Sequence, residues 1–240
     1  MSNNEEVLSK IDAVIYLSYT NNSKQVALFC NQFLNYKLLE IPKIDLNIKY
    51  NNVLLVYPIH SQDIPKNLYN FLTKINCNKM IAIATYGRIK HGNSLCNLRY
   101  KFSLPLIGAC YFQTKHSYLK NDDFKPNYDC LIPLLSKFNT ENKKLIDIKK
   151  SKSTIGHNFF PKSRAKLSVK IILDKSKCTS CNLCTDNCLN KAIRNGKINH
   201  NCIRCLSCVY KCHEKALDFK LTKVLKVYLK NQTSNQNESY

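Results

Sequence analysis

The chain begins as short, almost unbroken apolar runs separated by stretches with helical spacing. Residues 12–17 (DAVIYL) suit a parallel strand covered on both faces, which needs no polar alternation. A polar turn, Ser18-Tyr19-Thr20-Asn21-Asn22-Ser23, follows it. Val26, Phe29, Cys30, Phe33 and Leu34 then recur at i, i+3, i+4, i+7 and i+8, the spacing of an amphipathic helix. A short strand is expected near residues 36–41. A second strongly apolar strand is expected at 52–57, ending at Pro58. Leu68, Phe71, Leu72 and Ile75 mark the next helix, with Pro65 in its first turn. Residues 80–85 (MIAIAT) predict a third strand turned by Tyr86-Gly87, residues 94–102 a helix, and residues 106–112 a further strand. Strands alternating with helices predict a doubly wound α/β domain with a parallel sheet over residues 1–138.

The pattern changes after Phe138. Residues 139–166 are rich in Lys, Ser and Asn, with scattered apolar positions at Leu145, Ile146, Phe159 and Phe160. They read as a linker, with room for one helix, packed partly on the α/β domain. Val169–Leu173 and residues 216–220 predict two paired strands that close a small domain spanning 167–222. Residues 223–240 form a tail, polar and disordered over its last ten residues.

The small domain contains an internal repeat at an offset of 24 residues. Cys178-x2-Cys181-x2-Cys184-x3-Cys188 returns as Cys202-x2-Cys205-x2-Cys208-x3-Cys212. Each copy continues alike, Leu189-Asn190-Lys191-Ala192-Ile193 against His213-Glu214-Lys215-Ala216-Leu217, which suits a short helix beneath a metal centre. Asn195-Gly196 is a strong turn signal between the copies. Three cysteines at two-residue gaps, twice, are the arithmetic of iron–sulfur ligation. Zinc, the alternative, asks for two separated pairs of ligands.

Composition narrows the class. The chain has 240 residues, thirteen of them cysteine, and its N-terminus is polar and acidic rather than basic then apolar. With no export pattern and no apolar run of membrane-spanning length, the cysteines predict a reducing, cytoplasmic setting and metal ligation rather than bridges. The formal net charge of +21 invites a nucleic-acid reading. The lysines are scattered among Asn, Ile and Tyr rather than gathered in an aromatic-laced stripe, which argues against nucleic acid. Residues 166–230 carry 14 Lys and Arg against 4 Asp and Glu. That excess predicts an acidic redox partner and favours the reduced, more negative form of any cluster held there. Cys30, Cys77, Cys96, Cys110 and Cys130 lack ligand spacing and read as packing residues.

The cysteine repeat resembles bacterial two-cluster ferredoxins over residues 167–222. The resemblance implies two [4Fe–4S] clusters with crossed ligation: one held by Cys178, Cys181, Cys184 and Cys212, the other by Cys202, Cys205, Cys208 and Cys188. Leu189 and His213 stand where that family commonly has proline.

In the α/β domain the turn at 18–23 offers hydroxyls and amides at a helix N-terminus, where free N–H groups and the helix dipole favour a phosphate. It resembles the FMN phosphate loop of flavodoxins, with Asn21 in place of the usual glycine; Asn tolerates left-handed geometry. Simple helix capping by Ser18, Thr20, Asn21, Asn22 or Ser23 is the alternative. Pro58, Ile59, His60 and Ser61 follow one strand, and Thr85, Tyr86 and Gly87 follow another. Both loops are placed to flank a flavin ring, with Tyr86 a stacking candidate, or to serve as plain connections. With "VLLVYPIHSQDIP" and "IATYG", the whole arrangement resembles the EFR1 family of ferredoxins, a flavodoxin-like domain fused to a two-cluster ferredoxin domain. The resemblance implies a carrier relaying single electrons through two [4Fe–4S] clusters, to or from FMN. An FMN-dependent reductase of a small acceptor, or an α/β domain that docks partners without FMN, are the other readings. No nucleophile or general-base constellation is evident.

Overall fold

The computed structural model describes residues 11–141, 144–150, 161–231 and 237–240. The elements run β1 (Ile11–Tyr16), α1 (Asn22–Leu34), β2 (Lys37–Glu40), β3 (Lys49–Pro58), α2 (Tyr69–Leu72), β4 (Asn76–Tyr86), α3 (Ser94–Lys101), β5 (Leu106–Gln113) and α4 (Ile132–Leu135). They continue with α5 (Pro161–Ser168), β6 (Val169–Leu173), α6 (Leu183–Asp186), β7 (Ile193–Arg194), β8 (Lys197–Ile198), α7 (Ser207–Tyr210), β9 (Leu217–Leu221), α8 (Lys223–Asn231) and β10 (Glu238–Ser239).

The main sheet has the order β10-β5-β4-β3-β1-β2, parallel except for β10. Its parallel part, β2-β1-β3-β4-β5, is the flavodoxin-like doubly wound order. The apolar runs alternate between two cores. Ala13, Ile15, Leu55, Tyr57, Ala82 and Ala84 face one side with Leu68, Phe71, Leu95 and Leu98. Val14, Tyr16, Leu54, Val56, Ile81 and Ile83 face the other with Val26, Ala27, Cys30 and Leu134. Because both faces are covered, the strands carry no polar alternation.

The predicted strands are present; β1, β3 and β4 begin earlier than expected, whereas β2 is shorter. The expected helix at 68–75 is reduced to a 3-10 turn, Lys66–Leu68, followed by one turn of α-helix, α2. Pro65 precedes that turn rather than lying in it, because its ψ of 132° is extended. In the linker, Ile148 is buried and Ile146 packs on the first core, its N–H bonded to the Leu106 carbonyl at 2.9 Å. Phe159 and Phe160 lie outside the described residues.

Residues 223–240 are not simply a polar tail. Residues 223–231 form α8, and Glu238 and Ser239 pair antiparallel with Tyr111 and Cys110 of β5. Tyr240 exchanges two backbone hydrogen bonds with Ala109, at 2.8 and 3.2 Å. An unpaired β5 edge would expose a row of backbone donors and acceptors, so even this short strand has a reason to dock.

In the C-terminal module β6 and β9 pair antiparallel, as their pattern predicts. Asn195 (φ 48°) and Gly196 (φ 71°) make the left-handed turn of the β7–β8 hairpin. The two cysteine runs fold as copies. Ser180 and Arg204 have φ of 57° and 62°, Asn182 and Leu206 61° and 60°, and Lys191 and Lys215 47° and 50°. The short helices, α6 and α7, precede the fourth cysteine of each run, not follow it. Ala192-Ile193 and Ala216-Leu217 are instead buried and lead into strands β7 and β9. With a φ-positive residue in place just after each fourth cysteine, the chain turns outward before a helix can start.

Candidate functional site

A cleft of about 520 Å³ opens beyond the C-terminal ends of β1, β3, β4 and β5. This is the switch point where the order reverses from β1 to β2 on one side and to β3 on the other. Ser18, Thr20, Asn22, Ser23, Pro58, Ile59, His60, Thr85, Tyr86 and Gly87 all line it. Asn21 does not. It stands at the start of α1 with φ 69°, and its side chain makes no capping hydrogen bond. Asn21 therefore supplies the left-handed turn and leaves the cleft to its neighbours.

Capping does not occupy the loop's other hydroxyls and amides either; they tie loops together. Ser23 Oγ and Thr85 Oγ1 share a buried hydrogen bond of 2.8 Å. Thr20 Oγ1 meets Ser117 Oγ at 2.9 Å, and Asn22 Nδ2 donates to the Lys115 carbonyl at 2.8 Å. The Oγ of Ser18 is buried and has no partner among the described residues. An orphaned hydroxyl beside the N-terminus of a 13-residue helix is a cradle for an anion's oxygen. Tyr86 is buried with its ring edge-on to His91 at 5.6 Å.

Sequence reasoning missed two walls of this cleft. One is the loop after β5, Thr114 to Tyr118. The other belongs to the C-terminal module: Ala165 and Ser168 of α5, Arg204 and Cys205 of the second cysteine run, and Val224, Leu225, Tyr228 and Leu229 of α8. Only the i, i+4 spacing of Leu225 and Leu229, both apolar amid lysines, hinted at a buried face there.

The two modules are joined at this point. His60 Nε2 donates to the Ile203 carbonyl at 2.9 Å, and Tyr118 Oη donates to the Arg204 carbonyl at 2.9 Å. Tyr210 Oη donates to the Ser117 carbonyl at 2.7 Å, and Lys120 pairs with Asp218 at 2.6 Å.

A second, smaller cavity lies behind the wall. Cys188, Cys202, Cys205 and Cys208 line it together, with Tyr19, Ile203 and Leu206. Tyr19 and Cys205 thus border both cavities. Burial pushes the Cys205 thiol up to about 11, assisted by Cys202 and Cys188, although a backbone hydrogen bond from Ser207 opposes the shift. Burial pushes Cys208 up to about 12, with Cys205, Cys202, Cys188 and Cys184 adding to it. Burial also raises Tyr19 and Tyr118, and Cys205 is the next contribution to each. The Ala192 N–H donates to Cys188 Sγ at 3.2 Å. Cys178 and Cys181 are exposed, while Cys184 and Cys212 are half-buried. Among the described residues no three His, Cys, Asp or Glu side chains converge on a single metal ion, and no helix is long and apolar enough to cross a membrane.

At the cleft's rim Asp122 accepts from Arg88 Nη2 on both carboxylate oxygens, at 2.6 and 2.7 Å, and from the backbone N–H of His116 at 2.7 Å. His116 Nδ1 accepts from the Tyr118 N–H at 3.1 Å, so the ring is neutral. Burial lowers His116 to about 4, and Arg88 lowers it further, against the raising effect of Asp122. An unfolded histidine titrates near 6.5. Folding stability from this group is therefore complete above pH 6.5 and lost as the pH falls towards 4. Tm measured between pH 7 and 4.5 is expected to fall less in His116→Asn, whose amide oxygen can still accept from Tyr118. The difference corresponds to about 2 kcal/mol. Parallel curves for the two proteins would remove His116 as the cause.

No protein-family model matches the chain, and no curated protein matches it. Among solved structures it is similar to a protein of Bacteroides uniformis provisionally named a flavoprotein, at 12% identity over 45% of this chain and 93% of that one, with a TM-score of 0.37. A protein of Bacteroides eggerthii, also provisionally named a flavoprotein, is 15% identical over 55% of this chain and 100% of its own, with a TM-score of 0.38. A short-chain flavodoxin associated with a bacterial microcompartment is 16% identical over 33% of this chain and 62% of its own, with a TM-score of 0.26. The fold assignment rests on the strand order, not on these likenesses.

Proposed function

We propose that the chain is an electron-transfer protein holding FMN in the cleft and two [4Fe–4S] clusters in the cysteine module. The observation that carries this reading is the shared wall: Tyr19 and Cys205 border both the cleft and the cavity of four cysteines. The four residues gathered there, Cys188, Cys202, Cys205 and Cys208, are the crossed ligand set of a two-cluster ferredoxin. A cubane takes one thiolate at each of four iron corners, so its ligands stand wider apart than those of a single ion. The other set is Cys178, Cys181, Cys184 and Cys212.

The packing of the module supports the same reading. Between residues 167 and 222 the fully buried apolar side chains are Val169, Ala192, Ile193, Leu206, Ala216, Leu217 and Phe219. A core this small needs metal centres or a neighbour to hold it. The buried thiols of Cys205 and Cys208 would serve as ligands, a cluster's positive irons favouring their deprotonated form.

Bound FMN would accept or release electrons in pairs, and each cluster would carry them singly. The chain's own residues then do four things. The 18–23 loop and the start of α1 hold the phosphate. The loops after β3 and β4 flank the ring. α5 and α8 supply one wall of the cleft. Tyr19 and Cys205, the latter on a segment pinned by His60 and Tyr118, stand between the cleft and the cysteine cavity, so that electrons would not need to cross solvent between bound cofactors. The basic module suits an acidic redox partner.

Anaerobic purification followed by absorption spectroscopy, with iron and flavin quantification, tests this. About eight irons and one FMN per chain are expected. Bound zinc without colour would sink the cluster assignment; eight irons without flavin would sink the cleft's.

A further inference from the structure

Arg204 is an anomaly in an otherwise symmetric repeat. The matching residue of the first cysteine run is Ser180, and both adopt the same left-handed backbone, φ 62° and 57°. The loop's geometry therefore does not require an arginine; a serine meets it 24 residues earlier. The first run has no side chain in the cleft, whereas Arg204 lines it.

The guanidinium is held in place but not satisfied. Nε donates to the Val169 carbonyl at 3.0 Å, and the residue's own carbonyl accepts from Tyr118 Oη at 2.9 Å. Nη1 is buried and has no hydrogen-bond partner among the described residues. A buried charged donor left unpaired is costly, so the position calls for an acceptor, preferably an anion. The cleft around it agrees. Among the described residues its wall carries Lys90, Lys115 and Arg204 and not one Asp or Glu, with the buried Ser18 Oγ a second orphan. Lys90 and Lys115 are exposed to solvent, so their charge is screened; Arg204 is half-buried, with Nη1 out of solvent, and is screened less.

We propose that Arg204 is a cofactor-binding residue: the cysteine module reaches across into the α/β domain's cleft and supplies the half-buried cation that pairs with the negative charge of the bound flavin. The proposal rests on the flavin reading of the cleft. It makes the cofactor site a joint product of both modules, with the cation adjacent in sequence to Cys205. The paired charge belongs to the phosphate or, after reduction, to the ring.

The test titrates the full chain, purified anaerobically, with FMN and with riboflavin, oxidised and reduced. Arg204→Ser copies the residue that the first run already tolerates, so iron content and Tm are expected to stay close to wild type. FMN affinity is expected to fall about tenfold or more, the scale of a lost charged hydrogen bond. Arg204→Lys is expected to recover most of it, which a packing role would not produce. If the phosphate is the partner, riboflavin binds both proteins equally. If the reduced ring is the partner, reduced FMN loses more affinity than oxidised, and the flavin potential falls by about 30 mV per tenfold difference. Either pattern upholds the proposal. Equal FMN affinity of wild type and Arg204→Ser in both redox states overturns it, as does a lysine variant no better than serine. A wild-type chain that takes up no FMN overturns the cleft's assignment together with it.

Discussion

Cys205→Ala is expected to lose about half of the chain's iron, about four atoms of eight, while Cys96→Ala loses none. Cys96 is a buried residue of α3 in the first core and lines neither cavity. The same half is expected from Cys188→Ala, although Cys188 closes the first cysteine run and Cys205 belongs to the second. The structure groups them: both line one cavity, and Cys188 adds to the upward shift of the Cys205 thiol. The double variant Cys188→Ala/Cys205→Ala should therefore retain about as much iron as either single one. Cys184→Ala/Cys205→Ala should retain almost none, because it removes a ligand from each set. Iron quantification after anaerobic reconstitution reads all five variants. If the Cys188/Cys205 pair behaved like the Cys184/Cys205 pair, the crossed grouping would be wrong, whatever metal is bound.

The second large effect concerns the cleft's frame. Gly92→Ala is expected to destabilise the chain by about 3 kcal/mol, lowering Tm by roughly 10 °C. Gly92 has φ +65°, and an added Cβ would stand 2.2 Å from the Gln62 carbonyl oxygen, which is backbone and cannot step aside cheaply. Its own carbonyl accepts from His91 Nδ1 at 2.9 Å and from Tyr111 Oη at 3.3 Å, so the residue cannot simply swing away. Ser61 and Gln62, the residues it would push, have φ of 52° and 64° and both line the cleft. Ligand uptake should fall with stability. Gly87→Ala makes the comparison. There an added Cβ would meet the His116 ring at 2.4 Å and the His116 Cα at 3.0 Å, but Gly87 needs no left-handed backbone, so a smaller loss is expected. Equal Tm losses for the two variants would show that backbone contact at Gly92 is not the cause.

Local patterns carried much of this into the sequence. The α/β domain was legible because strands buried on both faces must be apolar throughout, as residues 53–57 and 80–84 are. The hairpin was legible because Asn195-Gly196 accepts φ above zero at little cost. Asn21 was legible for the same reason. The helix at 68–75 was over-read, since apolar spacing reports which side chains face a core and not how many turns the backbone completes. The helix of each cysteine run was placed on the wrong side of its fourth cysteine. Ala192-Ile193 and Ala216-Leu217 are buried as strand ends, a state that a two-residue apolar pattern does not distinguish from helix.

What the sequence determined by itself is therefore local: strand faces, turn residues, the doubled cysteine spacing and the candidate loops on the α/β domain. Each follows from the conformational limits of neighbouring residues, which a linear pattern records. Only the tertiary structure decided that the C-terminal end closes the β5 edge, and that α8 and the Arg204 loop roof the cleft. It also decided that Tyr19 and Cys205 stand between the two cavities. Those contacts join residues far apart along the chain, among them Tyr118 with Arg204, His60 with Ile203 and Tyr111 with Glu238. They are set by which surfaces remain unburied once each module has formed, and no spacing along the chain encodes that.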